Sequence, residues 1–102
     1  SNTDTQFFVN QPAIDLSKIN DGIVSASVYT QNTLNMPKNV TLYLAAYKGA
    51  RLQDIKVVSK TVLGSETITG NLIIPYNNSA LIYKAFVLDE NIHPLSSIIT
   101  SP

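Results

Sequence analysis

The sequence predicts an all-β fold, a sandwich of about seven short antiparallel strands, and three observations carry that reading. Runs such as IVSASVYT, VTLYLAAY, IKVVSKTV, ETITGNLII and ALIYKAFVL follow one another with little between them. Val, Ile and Thr fill 28 of 102 positions, and their stiff, branched side chains favour a pleated surface over a helix. No window of about eleven residues or more fits a 3.6-residue period better than it fits alternation.

In chain order, Ser1 to Gln6 are polar and read as a linker or tag remnant, which leaves 7–102 as one domain. Phe7, Phe8 and Val9 begin a short strand that Gln11-Pro12 interrupts. Proline lacks a donor, so this piece suits a sheet edge or a bent first strand. Ile14 and Leu16 alternate weakly before Asp21-Gly22 turns the chain. From Ile23 to Gln31, Val24, Ala26 and Val28 share one face while Ser25, Ser27 and Tyr29 share the other. QNTLNMPKN then makes a loop around Pro37.

The next strand, Val40 to Tyr47, has Leu42, Leu44 and Ala46 on one face and Thr41, Tyr43, Ala45 and Tyr47 on the other. Both rows are fairly apolar, which describes a central strand whose tyrosine face is partly covered. Gly49 marks a tight turn. Leu52 to Val62 follows as a long strand, broken near Asp54, and Gly64-Ser65-Glu66 reads as the next turn. Ile68, Gly70, Leu72 and Ile74 then share a face, Gly70 marking a bulge or a close backbone approach. PYNNS turns the chain again, and Leu81, Tyr83, Ala85 and Val87 form the core row of the last strand. A small closed barrel is the alternative, because alternation does not separate sheet packing from closure.

Composition excludes several classes of function. Seven basic residues cancel seven acidic ones, and the basic ones are spaced singly, so a nucleic-acid backbone or an anionic membrane finds no positive footprint. No stretch approaches about 18 apolar residues, so membrane insertion is not expected. There is no cysteine and one histidine, which removes thiol nucleophiles, thiolate metal sites and disulfides. His93 stands in DENIHPL without a nucleophile elbow or an orienting acid. The carboxylates Asp4, Asp15, Asp21, Asp54, Glu66, Asp89 and Glu90 all fall in or beside turns or the polar leader. The Asp89-Glu90-Asn91 group offers oxygens of the kind calcium takes, but its spacing is not that of an EF-hand loop and a solvated turn explains it. No catalytic residue, metal site or cofactor is expected.

The tyrosines are the one group suited to contact. Tyr43 and Tyr47 stand four apart on one strand face, about 13 Å between Cα atoms, and Tyr29 falls in the same alternation class. Rings so placed are candidates for stacking on a polysaccharide or cell-wall glycan. Without tryptophan the strongest stacking side chain is missing, and tyrosines commonly bridge a core to its wet rim.

The segments IVSASVYTQN, VTLYLAAYKGARLQDIKVVSKTV, ETITGNLIIP and IYKAFVLDENIHPLS resemble small immunoglobulin-like or fibronectin-type-III-like modules of secreted and cell-surface proteins of Gram-positive bacteria. Such modules often sit beside carbohydrate-active or wall-associated domains. Their last long strand tends to read K-A-F-x-W-D with a later P-L pair. This chain has Lys84, Ala85, Phe86, Val87, Leu88 and Asp89, then Pro94 and Leu95, and departs at Leu88. The resemblance spans Ile23 to Ser96 and carries no catalytic signature. It implies an immunoglobulin-like sandwich and an extracellular or cell-surface setting. The implied roles are spacing or packing against neighbouring domains of the same polypeptide, glycan contact, and adhesion or pilus-like assembly. The opening SNTDTQ, with no initiator Met or signal core, reads as a processed chain or a piece of a longer one.

Overall fold

Two apolar rows, Val24–Ala26–Val28 and Leu42–Leu44–Ala46, have nowhere to go but against each other. The computed structural model, which describes residues 6–74 and 80–101, packs them face to face as the centre of the core. The strands are β1 (Phe7–Val9), β2 (Ala13–Asp15), β3 (Ile23–Asn32), β4 (Lys38–Lys48), β5 (Arg51–Val62), β6 (Gly64–Ile73), β7 (Ile82–Asp89) and β8 (Ile99–Thr100), with a 3-10 turn at Ile19–Asp21. They form two antiparallel four-stranded sheets. In the first, β3 pairs with β6 on one side and with β1 and β2 on the other; the second runs β5-β4-β7-β8. The chain crosses between sheets after β3, β5 and β6 and pairs as hairpins at β4–β5 and β7–β8. This is an immunoglobulin-like β-sandwich, and the two sheets remain separate, so the barrel alternative is set aside.

Val24, Ala26, Val28, Leu42, Leu44, Ile68, Leu72, Tyr83, Ala85 and Val87 are buried, as alternation predicts. Each fully buried aliphatic side chain contributes about 1.5–3 kcal/mol. The broken first strand also appears as expected. Phe7–Val9 pair with Thr30–Asn32 and Ala13–Asp15 with Ser25–Ser27, and the register slips by one residue across Asn10-Gln11-Pro12. At Gly70 an added Cβ would sit 3.1 Å from a methyl of Val58 and 3.4 Å from Lys56 Cγ. The β3–β6 register runs unbroken through it, so Gly70 marks a close approach of β5 over β6, not a bulge.

Two connections differ from expectation. The β3–β4 loop is shorter, residues 33–37, because Gln31, Asn32, Lys38 and Asn39 all find ladder partners. Ser65 and Glu66, expected in a turn, are the second and third residues of β6. The turn itself is one residue, Leu63, followed by Gly64 at φ 86°, a left-handed conformation that costs glycine little. There the chain leaves one sheet and begins the other. The PYNNS turn lies outside the described residues.

Asn32 secures this corner. It is buried, and its Nδ2 donates to Val62 O at 2.9 Å and Met36 O at 3.0 Å, while its Oδ1 accepts from Leu34 N at 3.0 Å. One side chain thus ties the end of β3, the β3–β4 loop and the end of β5 together. Tyr83 contrasts with it: its hydroxyl is buried with no bond to a described protein group, and burial pushes its phenol above the ordinary tyrosine value.

Asn32→Ala leaves two carbonyls without their donor and is expected to cost about 2–3 kcal/mol in urea denaturation. Thr33→Ala, at an exposed loop position bonded only to Gln6 O, is expected to stay within about 0.5 kcal/mol of wild type.

Candidate functional site

The two outer faces of the sandwich differ sharply. On the first sheet, Ser25, Ser27, Tyr29 and Gln31 lie opposite Asn71, Thr69, Thr67 and Ser65. Ser25 Oγ donates to Asn71 Oδ1 at 2.7 Å and the Tyr29 hydroxyl donates to Ser65 Oγ at 3.2 Å. That is a surface made for water.

The second sheet carries an apolar outer face. Register aligns Val57, Tyr43 and Phe86 in one row across β5, β4 and β7, Ile55, Ala45 and Lys84 in the next, and Leu52, Tyr47 and Ile82 in a third. Leu52 and Ile55 are three apart, and strict alternation would put them on opposite faces. A bulge shifts the register between Ala46 and Tyr47, leaving Gln53 without a partner and turning Leu52 to the side of Ile55 and Val57. The break expected near Asp54 is this bulge. Leu52, Ile55 and Val57 are each 40–47% exposed.

Of the sequence-predicted site residues, Tyr43 and Tyr47 lie together on this face, while Tyr29 lies on the opposite outer face and joins no common surface with them. Alternation had grouped all three as outward, which they are, on two different sheets. Tyr43 stacks on Phe86 with ring centroids 4.9 Å apart and planes 8° from parallel. Two rings stacked across neighbouring strands stand on edge, so each covers a face of the other. Over Tyr47, Lys84 Nζ lies 5.1 Å from the ring centroid, a cation–π contact. Phe86, Val57, Ile55 and Leu52 belong to this surface too; the signal for them was a second apolar row on β5 and β7. Leu88 continues the β7 row, half-buried, and bridges to Pro94.

Toward the corner the same face turns polar. Thr41 and Ser59 share a hydrogen bond of 2.9 Å, and Thr61 Oγ1 donates to Asn39 Oδ1 at 2.9 Å. With Lys60 and Glu90 they line a shallow depression of about 290 Å³. Its hydroxyls bond to one another or to an amide: Thr41 with Ser59, and Thr61 with Asn39. Among the described residues no group of three His, Cys, Asp or Glu is placed to hold a metal ion.

The β7–β8 loop is organised by Asp89. Its Oδ1 accepts from the backbone N–H groups of Asn91 and His93, both at 2.8 Å, and its Oδ2 lies 3.5 Å from His93 Nδ1. The His93 N–H above all, with that of Asn91, holds the Asp89 carboxyl below the ordinary carboxylate value. The carboxylate thus caps its own turn. Ile92 closes the turn at φ 64°, a conformation strained for a β-branched residue, with its side chain exposed.

Two outcomes follow from this loop. Ile92→Gly is expected to raise stability by about 1 kcal/mol in chemical denaturation, since glycine occupies this conformation without strain. Because the folded pKa of Asp89 is depressed, its contribution is present above the unfolded value of 3.8 and is lost as pH falls through the lower folded value. Thermal melts from neutral to acidic pH should show wild type losing stability in that window and Asp89→Asn losing less; parallel curves would refute this role.

Among the described residues no helix is long and apolar enough to cross a membrane. Compared with known proteins, the chain matches no family model and no curated protein.

Proposed function

We propose that this chain is a non-catalytic accessory module of a larger secreted or cell-surface protein, holding neighbouring domains of the same polypeptide apart or packing against them. One observation carries the reading: the chain comes in at one end of the sandwich and leaves at the other. Gln6 O accepts from Thr33 N at 2.7 Å, beside the corner, while Ser101 N donates to Tyr83 O at 2.8 Å at the far end of β7. The body measures 51 × 24 × 20 Å, and the two points lie about 30 Å apart along the strands. Within a longer polypeptide a module threaded in this way would transmit length, and the described chain is fastened at Gln6 and at Ser101. Ser101 Oγ also accepts from Tyr83 N at 2.9 Å, so the last strand is held by a side chain as well as by its backbone.

The glycan alternative has less support from the geometry. Stacking on a pyranose needs an open ring face, and of the two faces of each ring Tyr43 gives one to Phe86 and Tyr47 one to Lys84, which leaves at most one of each for a sugar.

Spin or dye labels placed at Gln6 and at Thr100, an exposed neighbour of Ser101, should report one narrow distance that does not change with added polysaccharide. A broad distribution would overturn the spacer reading. So would a cell-wall glycan bound at micromolar affinity and lost in Tyr43→Ala or Tyr47→Ala.

A further inference from the structure

Four strand edges bound the two sheets, and three are blunted. The β1–β2 edge is broken at Pro12, β8 is two residues long, and β6 is overhung by Val58 and Lys56 of β5, whose side chains close on Gly70. The fourth, β5, is the longest strand at twelve residues and contains neither proline nor glycine. Among the described residues it pairs only with β4. All of it is exposed except Val58 and Val62, so its outer N–H and C=O groups form an open template for another strand.

Lysines on an edge ordinarily oppose such pairing, and here they act as a selector of register. Lys56, Lys60 and Asp54 share the inward-facing side of β5, as their partners Leu44, Val40 and Ala46 do. In an antiparallel pair of two β5 strands about a twofold axis, an axis at Lys56, Val58 or Lys60 sets lysine against lysine. An axis at Val57 sets Lys56 opposite the partner's Val58 and Lys60 opposite the partner's Asp54, twice by symmetry. An axis at Ile55 also matches opposite charges but draws the Gln53 bulge into the middle of the pairing, and an axis at Ser59 shortens the overlap. The Val57 register runs from Leu52 to Val62 with the bulge at its end.

Local contacts leave these groups free to pair. Lys60 Nζ stands 3.9 Å from Glu66 and is half exposed, a weak tie. Asp54 uses one oxygen on the Ile55 N–H at 2.8 Å and keeps the other.

We propose that two copies of this chain associate through their β5 edges, antiparallel about a twofold axis at Val57, with Lys60 of each facing the partner's Asp54. The second sheet then continues through both molecules, and the apolar row of Tyr43, Val57 and Phe86 becomes continuous across the axis. An isologous contact of this kind closes at two copies. The inference does not depend on the spacer reading.

Absence of cysteine makes the test direct. Val57→Cys should oxidise to a covalent dimer, because directly opposed residues lie about 4.5–5.5 Å apart at Cα. Ile55→Cys and Thr61→Cys, about 14 Å and 27 Å from their copies at the strand rise, should not. In sedimentation equilibrium, Lys60→Asp should weaken dimerisation about tenfold, and the double variant Asp54→Lys/Lys60→Asp should restore it. A wild-type chain monomeric up to about 1 mM, cross-linking at Ile55→Cys in place of Val57→Cys, or association unmoved by Lys60→Asp would each overturn the proposal.

Discussion

The architecture depends on one constraint: the chain must leave one sheet and enter the other within a single residue. β5 ends at Val62 and β6 begins at Gly64, so both strands are held on the same side of the sandwich and in close contact. Several otherwise unrelated features follow. Val62 is drawn into the core. Gly70 has no side chain because Val58 and Lys56 of β5 occupy that space. The corner would strand the Val62 carbonyl in the interior, and Asn32 reaches across from β3 to satisfy it while also donating to Met36 O in the β3–β4 loop. Buried polar groups are tolerated when fully bonded and are expensive otherwise, so this amide is the polar counterpart of the aliphatic core.

The corner also sets what the surface can do. Because it holds β5 at the margin of the second sheet, that strand pairs on one side only among the described residues, and its outer row adjoins the tyrosines of β4. The bulge at Gln53 adds Leu52 to that row. The result is a face suited to losing water against another surface. Within that face Tyr43 stacks on Phe86 and Tyr47 lies under the Lys84 ammonium. The first sheet, threaded through the same core, shows what a face built for water looks like: hydroxyls and amides bonded to each other across the strands.

The end of the sandwich that receives the chain holds three turns of different construction. Asn32 fixes the β3–β4 loop from inside, glycine makes the corner, and the Asp89 carboxylate fixes the β7–β8 turn through two backbone N–H groups. The last of these accommodates Ile92 in a left-handed conformation. Two short bonds to a charged acceptor help to offset the strain, which is why a β-branched residue can occupy a position that normally goes to glycine or asparagine.

Much of the fold was legible because a strand has a period of two. A residue such as Leu42 or Val28 declares itself inward by its neighbours alone, and Pro12 declares its edge by lacking a donor. The candidate site was legible only in part. Tyr43 and Tyr47 share a strand, so their common face follows from spacing. Tyr29 lies on another strand, and alternation says that it points outward without saying from which sheet.

The Gln53 bulge, the Tyr43–Phe86 stack and the one-residue corner arise from register and from the approach of distant strands. Local pattern carries no information on those contacts. The sequence by itself determined which residues are inside and, to within a few residues, where the strands run. Only the tertiary structure decided which outward rows lie side by side and which edge stays open, because those depend on long-range pairing that a two-residue period does not encode.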